Sequence, residues 1–67
     1  MRISYNKLWK ILIDKNMKKS DLREKAGISS ASLAKLGKGD NITTDVLLRI
    51  CKVMDCRIED ILETVRD

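Results

Sequence analysis

Residues 19–39, KSDLREKAGISSASLAKLGKG, read as two short helices hinged at Gly27. A helix over 19–26 puts Leu22 and Ala26 one turn apart on a single face, with Ser20, Asp21, Arg23, Glu24 and Lys25 in water. Glycine enters the left-handed backbone region without the Cβ penalty, so Gly27 suits the residue just past a helix end. Ile28 is then free to point into a core. Ser29 is placed to cap a second helix, its hydroxyl accepting from a backbone N–H two or three residues on. In that helix Leu33 and Leu36 face inward, while Ser30, Ala31, Ser32, Lys35 and Lys38 take the outer side. Gly37 and Gly39 weaken its end, so it is expected to stop near Leu36 to Lys38.

The outer face is small at its start and basic at its end. The major groove of B-DNA is roughly 12 Å wide and admits a helix whose N-terminal side chains reach base edges. Small residues at the front allow close approach. Serine hydrogen-bonds to several bases, alanine touches a thymine methyl, and Lys35, one turn on, reaches guanine acceptors or a phosphate. The same pattern also describes an ordinary helical hairpin whose outer face is merely solvated.

These residues resemble the Cro and lambda-repressor-like (Xre-type) helix-turn-helix regulators of bacteria and phages. The likeness runs from about Tyr5 to Leu62. It is carried by Leu22 and Ala26 in the first motif helix, Gly27 at the turn, Leu33 and Leu36 in the second, Gly39, and the run DVLLRICKVMDCRIEDIL (45–62). The resemblance implies an all-α fold, a five-helix lambda-repressor-like DNA-binding domain. It further implies that Ser30, Ala31 and Lys35 face bases, with Lys19, Ser32, Lys38, Asn41 and Thr43 near phosphates.

Two departures from the family pattern alter these expectations. Lys19 stands where such proteins often carry a glutamine, replacing a bridging amide by a point charge on a phosphate. Many members pair a glutamate at the position of Gly37 with an arginine at that of Leu12. Here both are missing, so no buried charge is orphaned and an apolar contact from helix 1 is expected instead.

Length and composition set the frame. The 67 residues allow one domain, 1–67, with the motif at about 19–38. A chain of this size buries only about 60% of the surface its unfolded form exposes, so its core is small. Hydrophobic residues at 43%, no Pro, no Phe, one Trp and one Tyr favour aliphatic helix packing over a sheet or a disordered segment. No linker, repeat, signal pattern or apolar run near ~20 residues is visible, which points to a cytoplasmic protein. With the resemblance, that means a nucleoid-associated protein of a bacterium or phage.

Net charge is +4, with a pI of about 9.3. Lys10, Lys15, Lys18, Lys19, Arg23, Lys25, Lys35 and Lys38 gather around the motif against Asp14, Asp21 and Glu24. Asp55, Glu59, Asp60, Glu63 and Asp67 lie beyond it. That polarity suits an oriented approach to a polyanion.

The flanks supply the other helices. Helix 1, 5–15, carries Tyr5, Leu8 and Leu12 on one stripe with Ser4 as cap, and Met17 fills the corner. Helix 4 opens after Thr43 as cap and runs to about Met54 with Leu47, Ile50, Cys51 and Met54 inward. Asp55 and Cys56 break it. A fifth helix over 58–63 brings in Ile58, Ile61 and Leu62, with Glu59 and Asp60 complementing its N-terminal dipole. Cys51 and Cys56 lack metal or redox spacing, and with no His and no further Cys, Cys51 reads as a small buried hydrophobe and the reduced thiols fit the cytosol.

Trp9, Ile13, Leu48 and Val53 fall off these inward stripes. Such residues mark association surfaces, and a homodimer with recognition helices one DNA turn apart fits a two-fold operator. Alternatively, Arg2-Ile3-Ser4 and Glu63-Thr64-Val65 fold back as a strand pair and cover Trp9. No phosphate loop, nucleophile elbow or credible acid–base pocket is visible. The sequence therefore reads as a regulator, more exactly a repressor, that binds double-stranded DNA with no cofactor, no membrane partner and no small-molecule substrate. A protein-interaction module or antitoxin-like partner on the same scaffold is the competing reading.

Overall fold

The chain opens on a short strand, β1 (Arg2–Ser4), followed by α1 (Asn6–Asp14), α2 (Lys19–Ala26), α3 (Ser30–Lys38) and α4 (Thr44–Met54). A 3-10 turn at Ile58–Asp60 leads into β2 (Glu63–Val65). These elements come from a computed structural model that describes residues 1–66; Asp67, read above as part of the acidic tail, lies outside the described residues.

Apolar spacing decides what is buried. Leu8 and Leu12 of α1, Leu22 and Ala26 of α2, Leu36 of α3, and Leu47, Ile50 and Met54 of α4 converge on one core, closed by Tyr5, Ile28 and Ile61. Each fully buried aliphatic side chain contributes roughly 1.5–3 kcal/mol relative to exposure. Leu33 and Cys51, expected inward, are only half-buried. They sit at the edge of their stripes, where the helix turns toward solvent.

Helix ends follow local chemistry. Thr43 Oγ1 accepts from the Val46 N–H at 3.3 Å and caps α4. Asp55, at φ 52°, takes the left-handed conformation that ends it. Ser4 serves the start of α1 from one residue further out than expected. The residue before the helix is Tyr5, and the buried Ser4 hydroxyl accepts from the Asn6 N–H at 3.3 Å.

The expected fifth helix does not form, so the described residues hold four helices. Ile61 N–H bonds to Ile58 O at 3.0 Å, an i to i+3 step. Arg57 N–H donates to Asp60 Oδ2 at 2.9 Å, and Lys7 Nζ donates to Glu59 O at 3.1 Å, pinning the turn to α1. The chain then extends to pair with β1 rather than coiling on. The strands are antiparallel, with Arg2 opposite Val65, Ile3 opposite Thr64 and Ser4 opposite Glu63. The folding back of the two tails, open as an alternative on the sequence, is thus what occurs. Ile3 and Trp9 both pack against the core, whereas Ile13 is 73% and Leu48 59% exposed.

Candidate nucleic-acid interface

The motif is assembled at the bend between α2 and α3. Lys18 N–H donates to Asp21 Oδ2 at 2.9 Å, satisfying an otherwise unpaired group at the start of α2. Gly27 ends that helix at φ 66°, and Ile28 N–H closes back on Arg23 O at 3.1 Å. Arg49 of α4 donates to Gly27 O at 3.1 Å while its Nε lies 3.1 Å from Asp45 Oδ2. The bend is thereby fixed to α4. Buried Ile28 anchors it from the inside.

Ser29 caps α3, accepting from the Ser32 N–H at 3.1 Å and donating to Ser32 Oγ at 3.1 Å. Ser29→Ala leaves an N-terminal donor of α3 unpaired. The expected cost is ~1 kcal/mol, read as a lowered denaturation midpoint at unchanged slope. At the other end Gly39, at φ 75°, lets the Asp40 N–H return to Lys35 O at 2.9 Å. The Tyr5 hydroxyl donates to Asp40 O at 3.0 Å and holds the chain leaving α3 against α1. Burial foremost, then the Asp40 charge, pushes the Tyr5 phenol above its ordinary range, so it stays a donor at neutral pH.

The exposed face of α3 is formed by Ser30, Ala31, Ala34, Lys35 and Lys38. Ala31, Ala34, Lys35 and Lys38 stand at helical spacing i, i+3, i+4 and i+7, one continuous stripe. Ala34, not among the residues expected on this face, joins it by that spacing alone. No carboxylate lies within α3.

The other expected contacts are dispersed around this stripe. Ser32 is half-buried and tied into the Ser29 cap. Asn41 and Thr43 are exposed in the segment between α3 and α4, with the Thr43 hydroxyl occupied as a cap acceptor. Lys19 is exposed at the first position of α2, its ammonium 4.5 Å from the centroid of the Trp9 ring. A Cβ built on Gly37 would lie 4.0 Å from Lys19 Nζ. The nearest neighbour of Gly37 outside α3 is thus this lysine and not Leu12, which is buried in the core. Lys19 adjoins Gly37, while Trp9 of α1 borders the same groove as that glycine.

The family follows from comparison with known proteins. Residues 7–67 match the family model of the Cro/C1-type helix-turn-helix DNA-binding domain. The chain belongs to that family. Among solved structures, this Cro/C1-type chain is similar to the crystal structure of the transcriptional regulator VanUg, Form II. The two are 52% identical with a TM-score of 0.94, over 98% of this chain and 88% of that one. No curated protein matches the chain.

Away from the motif the chemistry is sparse. Cys51 and Cys56 are both unbridged and half-buried. Burial first, then the neighbouring Cys51 thiol and the Asp60 and Asp55 carboxylates, push the Cys56 thiol up to about 11 from 9.0. It is therefore a thiol, not a thiolate, at neutral pH, and alkylation by iodoacetamide at pH 8 should run well below the rate of the denatured chain. The neutral form being favoured in the fold, the Cys56 contribution to stability is complete below pH 9 and is lost as pH rises toward 11. Among the described residues no three His, Cys, Asp or Glu side chains converge, and no helix is long and apolar enough to cross a membrane.

Proposed function

We propose that this chain is a transcriptional regulator, one domain over 1–67, that reads the major groove of duplex DNA with α3. The observation that carries this reading is the exposed, carboxylate-free stripe of α3, small at Ser30 and Ala31 and cationic at Lys35 and Lys38. Ser30, Ala31 and Lys35 are assigned to base edges. Lys19, Ser32, Lys38, Asn41 and Thr43 are assigned to the phosphate backbone, which sets register without reading sequence. Capping hydroxyls such as that of Thr43 keep their own proton to donate. Similarity to VanUg, a transcriptional regulator by its own description, supports the regulatory role.

Repression is the proposed output, because a protein seated on a promoter blocks it by occupancy alone. The proposed setting is the nucleoid of a bacterial or phage-infected cytoplasm. Exposed Ile13, Leu48 and Val53 are the proposed basis of a two-fold dimer. Half-buried Trp9 borders the same surface beside Ile13, with Lys19 over its ring.

Selection of bound duplexes from a random pool tests binding, sequence preference and half-site spacing at once. Neutralising six to ten phosphates should make affinity for the selected duplex fall ~10³–10⁵-fold between 50 and 200 mM salt. A flat salt response, or no duplex recovered, overturns the proposal. The apolar exposure of Ile13 and Leu48 favours a second reading, a protein-interaction module. Recovery of one defined protein partner, together with no retained duplex, would decide for it.

A further inference from the structure

Trp9 of α1 and Lys19 of α2 meet across two helices. Trp9 packs against the core, and the Lys19 ammonium sits 4.5 Å from the centroid of its ring. Among the described residues no carboxylate pairs with that ammonium. Gly37 also adjoins the cation, a Cβ built there falling 4.0 Å from Nζ. Trp9, Gly37 and Lys38 border one polar groove running beside the end of α3.

We propose that Trp9 is a positioning residue, its ring holding the Lys19 ammonium over the notch at Gly37, where a DNA backbone phosphate meets it. The inference rests on the DNA-binding reading above. A lysine that grips a phosphate gives up the rotamer freedom of a four-carbon stem. A ring that already confines the ammonium removes part of that loss before the duplex arrives. A carboxylate partner would confine it too, but would cancel the charge on offer. The ring's negative face attracts the cation without using its N–H donors, which stay available to phosphate oxygens. Gly37 adds no side-chain atoms beside the ammonium, where a Cβ would stand in van der Waals contact at 4.0 Å.

The test uses the full chain and its selected duplex, with Trp9→Leu, Trp9→Phe, Lys19→Met and the double variant Trp9→Leu/Lys19→Met. Without DNA, the Lys19 ε-methylene protons should show an upfield ring-current shift in the NMR spectrum that disappears in Trp9→Leu. Absence of that shift in the unaltered chain overturns the positioning role by itself. Its presence in a chain that retains no duplex overturns instead the DNA-binding reading, and the phosphate role with it. With duplex, Trp9→Leu should weaken affinity on the order of two- to fivefold and Trp9→Phe less, the scale of one exposed cation–π contact. In the Lys19→Met background, Trp9→Leu should add no further loss. An equal loss in both backgrounds would show that Trp9 acts through packing or a protein interface, and would overturn the proposal. Should Trp9→Leu fail to fold, Trp9→Phe against Lys19→Met carries the same cycle.

Discussion

Lys35→Glu is expected to lower affinity for the selected duplex by about a hundredfold or more while leaving the helical fold in place. Lys35 is exposed on α3, one turn beyond Ala31, in the middle of the stripe that faces outward. A well-placed base contact discriminates by ~1–3 kcal/mol, and reversing the charge adds repulsion from the phosphates to the loss of that contact. At ~1.4 kcal/mol per factor of ten, the sum reaches two decades or beyond. The fold itself should lose little. Substitution at an exposed position costs within about 0.5 kcal/mol, plus ~0.3–1 kcal/mol for an anion in the last turn of a helix. Competition binding at fixed salt, alongside circular dichroism, separates the two. Lys35→Ala then refines the role. A base reader relaxes preference at one position of the site, whereas a phosphate contact weakens all sequences alike and lowers the salt slope by about one. Operator binding retained in Lys35→Glu would remove this residue from the interface.

Leu22→Ala should be the most damaging single change to stability. Leu22 is completely buried on α2, the helix that carries the bend and packs on α4. Truncating a buried leucine costs ~2–5 kcal/mol through lost transfer energy and the cavity left behind. Small domains sit near the low end of the usual 5–15 kcal/mol, so the change consumes much of the margin. In a domain of this size each kcal/mol moves the midpoint by ~4–8 °C, and a fall of at least about 8 °C is expected by thermal circular dichroism. A melting curve matching the unaltered chain would mean that α2 is not held by this contact.

Much of the architecture was legible because the signals were local. Gly27, Ser29, Gly39 and Thr43 each act within a few residues of themselves, and apolar spacing over three helical turns names the buried face without knowledge of the partner. The fifth helix failed for the opposite reason. Ile58, Ile61 and Leu62 have helical spacing, but i to i+3 spacing in so few residues fits a 3-10 turn equally well, and pairing with β1 decided between them. That pairing joins opposite ends of the chain, which no local pattern reports.

The candidate site divides in the same way. Ser30, Ala31, Lys35 and Lys38 follow from helix phase, and so does Ala34 once the phase is extended. Trp9 and Ile13, four residues apart, read as one sticky patch. In the fold they differ in exposure, Ile13 largely in water and Trp9 half-buried against Lys19, yet both border one concavity with Met17 and Lys19. Arg49 and Tyr5 were likewise invisible as supports, since each reaches a carbonyl distant in sequence, Gly27 O and Asp40 O.

The β1–β2 pairing nearly closes the backbone between Arg2 and Val65 into a ring. Because Arg2 and Val65 lie side by side, a short peptide bridge could complete that ring, and a fresh opening in a surface bend far from α3 would yield a permuted chain with the same interior. Chain attached beyond Arg2 and chain attached beyond Val65 would leave the fold from neighbouring positions.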